Sequence, residues 1–249
     1  MPETAGTTQS AAPAADGEIL LAVSGLEGWY GESHVLHGIA FDVRQGEVVT
    51  LLGRNGAGKT TTLKAIMGIL AQRRGSVVFE GHELIKLPAR AIARLGLSYC
   101  PEERGIFASL SVEENLMLPP KVRPGGLSVE QIYELFPNLK ERRASQGTKL
   151  SGGEQQMLAI GRILRTGAKL LLLDEPTEGL APVIVQQIGH TIARLKQQGF
   201  TIVLVEQNFR FAASVADRHY VVEQGKVIDT ILNDDIEANI GKLHAYLGV

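Results

Sequence analysis

Val48-Val49-Thr50-Leu51-Leu52-Gly53-Arg54-Asn55-Gly56-Ala57-Gly58-Lys59-Thr60 decides the fold. Val48–Leu52 is a continuous run, as a strand covered on both faces requires. Gly53 to Thr60 then satisfies G-x-x-x-x-G-K-[ST], and Leu63, Ile66, Met67 and Leu70 follow at the i, i+3, i+4, i+7 spacing of a helix. Strand, glycine loop and helix in that order are the setting in which this spacing cradles phosphate. Gly56 and Gly58 let successive backbone N–H groups turn toward one oxyanion, and the helix N-terminus adds its dipole. Lys59 offers a point charge to β- and γ-phosphates, and the Thr60 hydroxyl suits Mg²⁺. Gly53, Arg54, Asn55, Ala57 and Thr61 complete the expected contact segment.

The rest of the chain surrounds this loop with similar units. Short β-branched or Leu-rich runs alternate with helical patterns, which predicts an α/β fold with a mainly parallel sheet. Ile19–Val23 and Ile39–Val43 alternate between glycines and read as antiparallel edge strands. Val77–Phe79 and Leu97–Tyr99 are further strand candidates, and Leu170–Leu173 and Ile202–Val205 are buried strands flanking a helix over Val183–Gln198. From about residue 105 to 165 strand signals vanish. Ser111 with Glu114, and Ser128 with Gln131, have capping-box spacing, so this segment reads as a helical subdomain inserted into the core.

Composition bounds the function. Glycine is 28 of 249 residues, about 11% against a typical ~7%, with neither a collagen period nor a disordered composition. Net charge is −2, which argues against a dedicated nucleic-acid binder. Cys100 is the single cysteine, so no intrachain disulfide forms, and a reducing compartment fits. No apolar run reaches membrane-spanning length. Residues 1–17 are Ala/Thr/Pro/Ser-rich and read as a disordered tail, leaving 18–249 as one folded domain.

Two further motifs carry chemistry. Asp174-Glu175 ends the Leu170–Leu173 strand, at the edge where open α/β sheets bind ligands. Asp174 suits Mg²⁺, directly or through water, and Glu175 suits orienting and deprotonating an attacking water. Leu150-Ser151-Gly152-Gly153-Glu154 opens a helix with Ser151 and Glu154 at capping-box spacing. Two glycines at a helix start have poor propensity, and their bare N–H groups make a second anion site.

In this order, phosphate loop, L-S-G-G and acidic strand resemble the ABC-type ATPases, over residues 18 to 249. The resemblance implies a P-loop NTPase core of ABC type, binding ATP and Mg²⁺. It implies two nucleotide domains paired head to tail, each ATP lying between one phosphate loop and the other domain's signature. Ser151, Gly152, Gly153 and Glu154 would then meet a nucleotide held by the partner. Tyr30 matches the aromatic that stacks on adenine, with Trp29 as its rival.

The chain also departs from the family pattern. Glu102 stands where a Gln usually touches Mg²⁺ and the lytic water, Gln207 where a His usually contacts the γ-phosphate, and Ala181 where an Asp is common. A carboxylate ligates Mg²⁺ but donates no hydrogen bond; an amide donates but never becomes cationic. The chain's own site is therefore either slow or served adequately by these substitutes. Pro101–Phe107, Tyr133–Pro137, Glu154–Ile160, Gly179–Pro182, Val205–Asn208 and Tyr246–Val249 look like the ATPases of branched-chain (hydrophobic) amino-acid importers.

That branch implies two different ATPase subunits, of which this resembles the shorter. It also implies two membrane permeases, a periplasmic solute-binding protein, and a place on the cytoplasmic face of the inner membrane. Importers of urea or short amides are the alternative within the branch. A soluble ABC ATPase or a non-hydrolysing regulatory module are the alternatives outside it.

Overall fold

The computed structural model describes residues 17–248. The expected disordered tail lies outside the described residues, save Gly17, whose carbonyl accepts from Arg44 Nη1 at 2.7 Å.

The chain opens on a hairpin of β1 (Ile19–Tyr30) and β2 (Ser33–Arg44). Then come β3 (Val48–Leu52), α1 (Lys59–Ile66), β4 (Gln72–Phe79), β5 (His82–Glu83), α2 (Ala89–Arg94) and β6 (Leu97–Cys100). A helical stretch follows: α3 (Val112–Met117), α4 (Val129–Leu135), α5 (Pro137–Glu141) and α6 (Gly152–Leu164). The chain closes with β7 (Leu170–Asp174), α7 (Pro182–Gln197), β8 (Thr201–Glu206), α8 (Phe209–Val215), β9 (Arg218–Glu223), β10 (Lys226–Leu232) and α9 (Ile240–Leu247).

The large sheet has the order β10-β9-β3-β8-β7-β6. Its strands β9, β3, β8, β7 and β6 are parallel, and β10 adds an antiparallel edge. A second sheet, β2-β1-β4-β5, is antiparallel throughout. Both hairpin strands run 12 residues, past the alternating cores at Ile19–Val23 and Ile39–Val43. Bulges near Leu26 shift the register there, so the pairing continues where the alternation breaks. Helix α1 is shorter than its apolar spacing suggests, because Gly68 at φ +70° turns the chain before Leu70.

Strands β3, β7 and β8 are buried at every position, and their period of two serves two cores. Val49, Leu51, Leu170, Leu172, Val203 and Val205 pack with Leu63 and Ile66 of α1 and Leu21 and Leu36 of the hairpin. Val48, Leu171, Leu173, Ile202 and Leu204 pack with Met157, Ile160 and Leu164 of α6 and Ile188 and Ile192 of α7. Capping boxes at Ser111, Ser128 and Ser151 start α3, α4 and α6. Gly161 lets α6 approach its neighbours: a Cβ there would lie 3.0 Å from Ile132 Cγ2 and 3.1 Å from Leu116 Cδ2. Among the described residues no helix is long and apolar enough to cross a membrane.

Arg218 clamps the two sheets. Its guanidinium donates to Asp42 Oδ2 at 2.9 Å and to Glu47 Oε1 at 3.0 Å, while Tyr220 donates to the Asp42 carbonyl at 2.8 Å. The side chain is only 14% exposed and that of Glu47 10%, so its loss strands the Glu47 carboxylate in a poorly hydrated place and takes this cation from the partly exposed Asp42. Arg218→Met is expected to lower stability by about 2–3 kcal/mol, read as a lower urea midpoint at unchanged slope.

Candidate nucleotide-binding and hydrolysis site

The ends of β3 and β7 and the start of α1 surround a cavity of about 390 Å³. Asn55, Gly56, Gly58, Lys59, Thr60 and Thr61 line one side, Glu102, Glu175 and Glu178 the other, with Val35 at the rim. Gly56 at φ +81° and Gly58 at φ +105° hold the left-handed conformations that curl the loop. The other three loop positions do not line it. Gly53 is a packing glycine, since a Cβ there would sit 2.3 Å from the Val222 carbonyl of β9. Ala57 is buried, its carbonyl accepting from Gly225 N at 2.8 Å. The Arg54 guanidinium turns toward Gly248, where a Cβ would come within 2.9 Å of its Cζ.

Lys59 Nζ donates to the Gly53 carbonyl at 2.9 Å and the Arg54 carbonyl at 3.2 Å, and pairs with Glu175 Oε1 at 3.2 Å. Gln207 Nε2 donates to the other Glu175 oxygen at 2.7 Å. Glu175 itself holds φ +45°, costly for a side-chain-bearing residue. Its N–H donates to the Val205 carbonyl at 3.0 Å, which helps to fix it. The structure thus brings Lys59, Glu175 and Gln207 into one hydrogen-bonded group.

Asp174 is almost wholly buried. It accepts from Thr60 Oγ1 at 2.9 Å on Oδ1 and from Tyr99 OH at 2.8 Å on Oδ2. Burial raises its pKa, the two hydroxyls oppose that, and the charges of Glu175 and Glu102 add to the rise. Hydrogen bonding to Glu175, with burial and the nearby Glu102, holds the Glu178 carboxyl above its ordinary range. Among the described residues no three His, Cys, Asp or Glu side chains converge as a self-sufficient metal cage. The hard oxygens of Thr60, Asp174 and Glu102 do fit Mg²⁺, which takes few protein ligands and completes its shell with water and phosphate.

Tyr30 does not reach this cavity. It is 49% exposed and lines a neighbouring hollow with Ile69 and Gln72. The indole of its rival Trp29 is engaged, stacked on His34 at 4.4 Å with Arg74 5.3 Å from its centroid. Ser151, Gly152, Gly153 and Glu154 do not line the cavity either. Ser151 caps α6 through Glu154 N at 3.3 Å, and Glu154 Oε2 accepts from Ser151 N at 2.7 Å. Gly153 has a packing reason of its own, since a Cβ would meet Ile184 at 2.9 Å.

Sequence reasoning missed Tyr99, Glu178 and the Glu206–Thr177 pair. Buried Glu206 accepts from Thr177 Oγ1 at 2.7 Å, tying the strand before Gln207 to the loop after Glu175. That loop runs into α7 at Ala181, which offers no side-chain cap, with Pro182 at the first turn.

With this geometry in place, relatives can be compared. The ABC transporter family profile matches residues 36–178, and the chain belongs to that family: it is an ABC-type ATPase subunit of a transporter. It is 42% identical over 238 residues to the high-affinity branched-chain amino acid transport ATP-binding protein BraG of Pseudomonas aeruginosa, covering 92% of this chain and all of that one. It is 38% identical over 205 residues to the lipopolysaccharide export system ATP-binding protein LptB of Escherichia coli K12, covering 80% of this chain and 85% of that one. A solved ATP-binding subunit of an ABC transporter superposes with TM-score 0.76 at 30% identity, over 92% of this chain and all of that one. A nucleotide-free ATP-binding cassette shares the fold at TM-score 0.78 and 22% identity, over 93% of this chain and 99% of that one.

Burial, only partly offset by the Thr177 hydroxyl, pushes Glu206 up to about 7 from its usual value near 4.5. An acid raised on folding lends stability that is full below its unfolded pKa and lost as pH rises through about 7. Glu206→Gln keeps the Thr177 contact and removes the charge. It is expected to match the parent at pH 5 and to be more stable at pH 8, by on the order of 2–3 kcal/mol, in thermal unfolding at the two pH values.

Proposed function

We propose that this chain binds and hydrolyses ATP to energise an importer of branched-chain, hydrophobic amino acids. The full-length similarity to BraG carries the substrate class, because the two chains align over the whole of that protein. LptB supports a second reading, export of a lipid-linked polysaccharide, over a shorter stretch at lower identity. In the favoured assembly the chain pairs head to tail with a second, different ATPase subunit. The pair works beneath two permease subunits on the cytoplasmic face of the membrane, fed by a periplasmic solute-binding protein.

The site supports this with its own residues. Lys59 meets the β- and γ-phosphates with Gly56, Gly58, Asn55 and Thr61 around it, and Glu175 orients and deprotonates the attacking water. Phosphate competes with Glu175 for Lys59, so nucleotide arrival frees the carboxylate that the ion pair holds in this structure. Gln207 continues to donate to it. Thr60, Asp174 and Glu102 would hold Mg²⁺, which when bound neutralises charge on the phosphates. Ser151 to Glu154, away from this cavity, complete the partner's site, and Tyr30 offers an adenine platform beside the loop. Glu102 accepts but does not donate, and Gln207 is spent on Glu175, so this chain's own site turns over more slowly than the partner's.

The test is ATP turnover and uptake by the reconstituted transporter. Lys59→Ala is expected to abolish both, and Glu175→Gln to slow turnover from this chain's own site by at least about 100-fold. Total turnover falls less than when the partner's catalytic Glu is changed; equal losses overturn the asymmetry. Stimulation by leucine-loaded binding protein supports the substrate class, whereas stimulation by a urea- or amide-loaded one overturns it.

A further inference from the structure

We propose that Tyr99 is a positioning residue for the cation side of this site, locking Asp174 so that Asp174 in turn holds the Thr60 hydroxyl. The inference rests on the nucleotide reading above, and its observations are geometric. Tyr99 sits on β6, Asp174 at the end of β7, and Thr60 in the first turn of α1. The parallel pairing of Tyr99 with Leu172 sets the phenol two residues short of Asp174. The ring reaches across that gap, and its hydroxyl donates to Oδ2 at 2.8 Å.

Thr60 donates to the opposite oxygen at 2.9 Å. A hydroxyl that spends its proton on Asp174 keeps its oxygen lone pairs for the cavity it lines. Both Asp174 oxygens are thus committed, and the carboxylate is 1% exposed, so it has one orientation. Without the phenol, Oδ2 would be left unpaired in a buried place, and the side chain would turn to find a donor. The turn would carry the Thr60 hydroxyl with it. Groups in such outer layers tune metal affinity by about 10- to 100-fold.

Tyr99→Phe deletes one oxygen and keeps the ring that packs beside the hydrophobic core. The experiment titrates Mg²⁺ into the full chain with a fluorescent ATP analogue, and repeats the binding in EDTA. The expected result is equal affinity in EDTA and a modestly lowered melting midpoint, with about 10-fold more Mg²⁺ needed to reach the tight complex. Placing 3-fluorotyrosine at position 99 keeps the phenol and alters its donor strength, and is expected to shift the Mg²⁺ demand by less. That arm decides the matter even if Tyr99→Phe does not fold. Superimposable Mg²⁺ titrations for parent and variants overturn the proposal. So does an equal loss of affinity with and without Mg²⁺, which makes Tyr99 a general support of the cavity. A parent chain whose nucleotide binding ignores Mg²⁺ overturns the Thr60–Asp174 reading itself, a separate failure visible before any variant is made.

Discussion

The site depends on the in-register parallel ladder of β6, β7, β8 and β3. Leu173 pairs with Cys100 on one side and Leu204 on the other, and Asp174 pairs with Val205. Parallel strands covered on both faces finish at one edge, and their next residues emerge together. Glu175 and Gln207 are therefore neighbours because the ladder aligns the strands that precede them. A slip of β7 by one residue would exchange its leucines between the two cores and take Asp174 out of register with Val205.

The same edge gathers charge of one sign. Asp174, Glu175, Glu178, Glu102 and Glu206 crowd a region whose buried cation is Lys59. Burial raises Asp174 and Glu206, hydrogen bonding to Glu175 raises Glu178, and the neighbouring carboxylates add to each rise. Such an arrangement is poor for stability and good for receiving cations, as functional sites often are. Two cross-links between neighbouring strand ends, Gln207 to Glu175 and Thr177 to Glu206, keep it ordered.

Much of this was legible in the sequence, for local reasons. The spacing of Gly56, Gly58, Lys59 and Thr60 is itself the loop, and the apolar run before Asp174 is itself the buried strand. Capping boxes at Ser111, Ser128 and Ser151 need only four residues each, and they form. What stayed hidden is what depends on long-range register. Tyr99 serves Asp174 through a ladder between strands 75 positions apart. Gly53 looks like a phosphate glycine, yet the constraint on it comes from the Val222 carbonyl of β9. The separate antiparallel sheet could not be told from an edge of the parallel one, because alternation shows that a strand has two faces but not which sheet it joins.

The uncapped start of α7 has a mechanical consequence. A helix of 16 residues begins at Pro182 after Ala181, with no side chain accepting from its first N–H groups, and Pro182 presets the turn without fastening it. An Asp there would rivet the preceding loop to the helix. Instead the loop is moored at its other end, where Thr177 meets Glu206. Thr177 to Ala181 is thus held to the helix by backbone alone, the Ala181 carbonyl accepting from Ile184 N and Val185 N, while a side chain secures it at the strand end.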